Sequence, residues 1–65
     1  MNTSKMKMER IKNGLTQQDL RGITKIGLTT LVKIEKGDIG GVRVKTLEKI
    51  ASALNTSIVD LFFKE

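Results

Sequence analysis

The chain contains no cysteine, histidine, tyrosine, tryptophan or proline. Without cysteine, neither a disulfide nor a zinc thiolate site can support a fold of 65 residues. At that length only about 60% of the unfolded surface is buried. The absence of His, Cys and Tyr removes the usual nucleophile–base pairs and the common transition-metal ligands. No enzyme activity, metal or cofactor is therefore expected. Two Phe are the only aromatics, too few for a platform that stacks single-stranded bases. No run of about 18 apolar residues exists to cross a membrane. Lys5, Lys7, Glu9 and Arg10 interrupt Met6, Met8 and Ile11, so no secretory apolar segment forms, and a cytoplasmic location is expected.

What is present is charge, unevenly placed. Twelve Lys and Arg stand against seven Asp and Glu, for a net charge of +5. Residues 1–33 carry seven basic and two acidic side chains; residues 34–65 carry five of each. All of the excess lies in the first half, the pattern of a basic face that meets a polyanion.

Short breaks divide the chain into helices. Ser4 can cap a first helix over about 5–13, stopped at Asn13-Gly14. Thr16 can cap a second over 16–23, with Asp19 placing negative charge at its positive end. A third runs over 27–36 and ends at Gly37. Gly40-Gly41 makes the following stretch a loop. Leu47, Ile50, Ala51 and Leu54 give one apolar stripe to a fourth helix, 44–54, which Asn55 terminates. Ser57 and Asp60 suit the start of a fifth, 57–63, with Ile58, Leu61 and Phe62 as its apolar side. No segment alternates with period two, so the fold class is all-α: one compact five-helix domain over 1–65. Helices two and three are joined by so few residues that they must cross steeply, which is helix-turn-helix spacing.

The stretch LTQQDLRGITKIGLTTLVKIEKG resembles the lambda-repressor-like helix-turn-helix family of phage repressors, Cro proteins and their relatives. The motif residues are Leu15-Thr16-Gln17, Leu20, Leu31, Ile34-Glu35 and Gly37, and LEKIASALNTSIVDLF is similar to the family's last two helices. The resemblance covers about residues 6–62. It implies a transcriptional regulator that binds double-stranded DNA, with the third helix in the major groove. It implies a repressor acting as a homodimer on a (pseudo)palindromic operator.

Residue by residue, the resemblance puts Leu28, Thr29 and Lys33 at base-contacting positions, with Val32 beside them. It puts Thr16, Gln17, Lys36, Arg43 and Lys45 at phosphates. Arg10 and Glu35 match a structural ion pair, and Arg10 could also reach a phosphate. Phe63, with Ile58, is the expected dimer contact. No small-molecule effector site is evident. Leu28 has two readings: spacing sets it on a 28/31/34 core stripe, the resemblance against a base. The chain departs from the family pattern at Arg21, where a small residue is usual, at Lys25 for the turn Gly, and at Gly27 for a Ser or Thr cap. The alternative function is a protein-interaction module, or an antitoxin-like partner protein, built on the same fold; apolar Leu28 and Val32 suit it.

Overall fold

The first two helices open on side-chain caps, and every α-helix closes within two residues of a position of positive φ. The computed structural model describes residues 4–63. It contains α1 (Lys5–Lys12), α2 (Gln17–Thr24), α3 (Leu28–Glu35), α4 (Val44–Ala53) and a terminal π-helical segment (Val59–Phe63), with no strand among these residues.

Ser4 Oγ accepts from Lys7 N at 3.1 Å and opens α1. Thr16 and Asp19 form a reciprocal capping box on α2. Asp19 N donates to Thr16 Oγ1 at 3.0 Å, and Thr16 N donates to Asp19 Oδ2 at 2.9 Å. Three helices stop the same way. Gly14, Gly37 and Asn55 take positive φ directly after α1, α3 and α4. Around Gly37, the amides of Gly37 and Asp38 return to Ile34 O and Lys33 O at 2.9 and 3.1 Å. That pair of bonds satisfies carbonyls the helix would otherwise leave open.

The fifth element differs in kind from the α-helix expected over 57–63. Its entry is α-like, with Leu61 N donating to Ser57 O and Asp60 N to Ser57 Oγ, both at 3.0 Å. Beyond that the turn widens. The wider turn keeps Leu61 buried, with Ile58 and Phe62 half-buried on the same core.

That core gathers Met6, Leu20, Leu31, Ile34, Leu47, Ile50, Ala51, Leu54 and Leu61. The α4 stripe Leu47, Ile50, Ala51 and Leu54 is buried throughout. Met6, one apolar residue among lysines, joins it from α1. The loop 36–43 is not free of the core either. Ile39 and Val42 pack against it, and Val42 N donates to Ile39 O at 3.1 Å, folding the Gly pair outward.

The corner between α2 and α3 is built on Thr24. Its buried hydroxyl donates to Leu20 O at 2.8 Å and accepts from Ile26 N at 3.2 Å. Lys25 then turns the chain in the left-handed region, φ 63°, ψ 22°, a conformation that favours glycine. The helices do not meet at a small-residue contact on positions 21 and 22. Arg21 is exposed, with Nε on Gln18 Oε1 at 3.0 Å, and a Cβ on Gly22 would meet nothing within 4 Å. Leu20 and Leu31 join the two helices through the core instead.

Lys25→Gly removes the left-handed strain and is expected to stabilise the fold by about 0.5–1 kcal/mol. For a domain of this size that raises the thermal midpoint by several degrees, readable by circular dichroism. A lower midpoint would show that the lysine side chain contributes more than its backbone costs.

Candidate nucleic-acid interface

α3 is buried on one side through Leu31 and Ile34. Positions 28, 29, 32, 33 and 36 fall on its other side, since residues four apart lie one above another on a helix. Thr29, Lys33 and Lys36 are exposed. Leu28 and Val32 are half-buried, yet neither is among the apolar side chains packed on the core. Leu28 therefore lies off the Leu31/Ile34 stripe, on the margin of the outward face.

The end of α3 is held by a buried ion pair. Arg10 Nε donates to Glu35 Oε2 at 2.8 Å and Arg10 Nη2 to Oε1 at 3.1 Å, a bidentate fork. The two side chains are only 11% and 8% exposed. Arg10 Nη1 donates to Leu15 O at 2.8 Å, and Gln17 Nε2 donates to Glu35 Oε1 at 3.0 Å. All three guanidinium nitrogens are thus engaged inside the protein. The hydrogen bond to Glu35 holds the Arg10 pKa above its ordinary value against the opposing effect of burial, with the Glu35 charge adding to it. No buried side-chain nitrogen or oxygen among the described residues is left without a partner.

The three helix N-termini on this side of the sequence differ in what answers them. In α2 the Asp19 carboxylate sits on the first turn, and its hydrogen bonds with Thr16 lower its pKa. α3 begins at Gly27, and α4 at Arg43; neither has a side-chain cap bond or an acidic residue in its first turn. Such an end presents backbone N–H groups and partial positive charge outward, a place for an anion. Lys45 stands in the first turn of α4, where a cation opposes the helix dipole unless an anion lies nearby.

The expected site residues thus fall in distinct settings. Thr16, Lys36, Arg43 and Lys45 are exposed, and Gln17 is half-buried with its amide on Glu35. Phe63 is exposed, whereas Ile58 packs partly on the protein's own core. The role of Gln17 as a donor to Glu35 was not foreseen. Its position one residue into α2 and its reach were the available signals, but nothing local pairs it with a residue so distant in sequence.

The comparison with protein families matches residues 6–61 to the helix-turn-helix family. No curated protein and no solved structure matches the chain.

The Arg10–Glu35 pair makes a double-mutant test decisive. Arg10→Met leaves a buried carboxylate with one donor and is expected to destabilise by about 3–5 kcal/mol. Arg10→Met combined with Glu35→Leu should recover most of that loss in urea unfolding. A double variant as unstable as the single would mean that the charges themselves, rather than the unpaired carboxylate, set the stability.

Proposed function

The chain belongs to the lambda-repressor-like helix-turn-helix family, a family of DNA-binding transcription regulators, and from that membership we propose a repressor that binds a (pseudo)palindromic operator as a homodimer. α3 enters the major groove. Lys33 donates to guanine O6 and N7, Thr29 bonds a base edge or a phosphate, and Leu28 and Val32 touch thymine methyl groups. Thr16 and the second amide hydrogen of Gln17 at the start of α2, Lys36 at the end of α3, and Arg43 and Lys45 at the start of α4 hold phosphates. Arg10 keeps the structural role, since each of its three guanidinium nitrogens already donates within the protein.

One observation supports this reading above the rest. On the outward face of α3, Leu28 and Val32 do not pack on the core cluster, and the two helix ends nearest to it in sequence carry no side-chain cap and no acid in the first turn. A face of this kind has donors, methyl groups and positive potential, and makes no demand on the core.

The dimer reading rests on the last segment. Phe63 and Val59 are both more than half exposed, and they lie about one turn apart. The body is at most 27 Å across. Two copies with α3 helices about 34 Å apart on successive turns of DNA touch only over a narrow rim. A small apolar contact is what such a rim can hold.

Binding to duplex DNA should weaken steeply with salt, with a slope of about −0.9 per phosphate neutralised. Arg43→Ala should weaken all sequences alike and reduce that slope by about one. Lys33→Ala should cost about 1–3 kcal/mol on the preferred site and relax the preference at one base pair. Gel shifts on a selected and a scrambled duplex separate these outcomes. No binding at low salt would remove the DNA reading and favour the same apolar face as a protein-docking surface. Sedimentation of Phe63→Asp should give a monomer at concentrations where the parent is a dimer; an unchanged mass would exclude Phe63 from the interface.

A further inference from the structure

An open groove of about 800 Å³ runs between the end of α2 and the outer side of α4. None of the α3 residues proposed to read bases lines it. Ile23 and Ala53 give it an apolar lining. Ile23 is 55% exposed, although it immediately precedes the buried Thr24 where α2 packs on α4. Lys25, Lys45 and Lys49 line the same groove against a single carboxylate, Glu48.

The two halves of this lining point to one kind of occupant. Phosphates would satisfy the lysines and leave Ile23 in water. A purely apolar ligand would cover Ile23 and leave the lysines with only Glu48 to offset them. Carboxylates interleaved with an apolar side chain answer both. Geometry sets the scale. Lys45, Lys49 and Ala53 recur every fourth residue along α4, a row about 12 Å long at 1.5 Å per residue. That length matches two turns of a helix laid alongside, with anchors one turn apart.

We propose that the α2–α4 groove is a docking site for an acidic amphipathic segment of a partner protein, with its carboxylates on Lys25 and Lys49 and its apolar side chain over Ile23 and Ala53. The site shares Lys45 with the proposed phosphate contacts, which keep it, and is otherwise separate from the base-reading face. Its occupation leaves α3 free, so a bound regulator can carry a partner.

Selection of short random peptides displayed on phage against the purified protein tests this. The enriched peptides should share Asp or Glu around an aliphatic or aromatic anchor. A synthetic peptide of that consensus, titrated into ¹⁵N-labelled protein, should shift the amides of residues 23–25 and 45–53. Ile23→Glu and Lys49→Glu should each weaken it about tenfold or more while thermal midpoint and DNA affinity stay at parental values. Should Ile23→Glu lower the midpoint, Lys49→Glu alone decides, since it removes an exposed charge. No acidic consensus, shifts elsewhere, or equal affinity for the Lys49 variant would overturn the proposal. So would the same amides shifting on dilution of the protein alone, which would make a second copy the occupant. DNA affinity is read separately, so failure here leaves the repressor reading standing.

Discussion

Glu35 is a carboxylate in an unfavourable place. It is the last residue of α3, where the helix dipole is already negative, and it is buried. Left alone there it would be costly, and the rest of the structure is arranged so that it is not alone. Arg10 reaches it from the last turn of α1, a helix end that favours a cation. The same guanidinium closes on Leu15 O, just past the turn that leaves α1, and Gln17 adds a donor from the first turn of α2. One buried charge thus brings together the ends of three helices. It also fixes the tilt of α3, because both faces of its last turn are committed: Ile34 to the core and Glu35 to the network.

The helix N-termini of this frame are satisfied to different degrees. The N-terminus of α2 is answered from within by Asp19 and Thr16. Those of α3 and α4 are not, and the cations Arg43 and Lys45 sit at the second of them. An anion arriving there would supply the missing partner and relieve the unfavourable placement of Lys45. The outward face of α3, by contrast, is made of Leu28, Thr29 and Val32 with Lys33 and Lys36 among them.

Local chemistry made the helices legible. Ser4, Thr16, Gly14, Gly37 and Asn55 each mark a boundary that the structure places within a residue or two of the expected one. What was hidden depends on distant contacts. Met6 has no apolar periodicity around it, yet the core reaches it. Ile39 and Val42 flank a Gly pair that reads as plain loop, and still serve as anchors. Lys25 is left-handed because Thr24 and Ile26 fix the chain on either side of it, which its own type would not suggest. The partners of the Arg10 network are too far apart in sequence for any pattern to join them; only family resemblance pairs Arg10 with Glu35. Leu28 was ambiguous for a geometric reason. A spacing of three falls short of a helical turn by about 60°, so two steps carry Leu28 about 120° from Ile34 and off the buried stripe.

The outward face of α3 is decoupled from what holds the helix. Leu28 and Val32 pack on no core residue, Thr29 and Lys33 are exposed, and the helix is held from behind by Leu31, Ile34 and Glu35. Substitution in front and retention behind are therefore nearly independent choices. A lineage can rewrite the four outward letters without first accumulating spare stability, and a chain with so small a core has little to spare. The scaffold in this sense is a socket whose exposed front can be refitted by single substitutions.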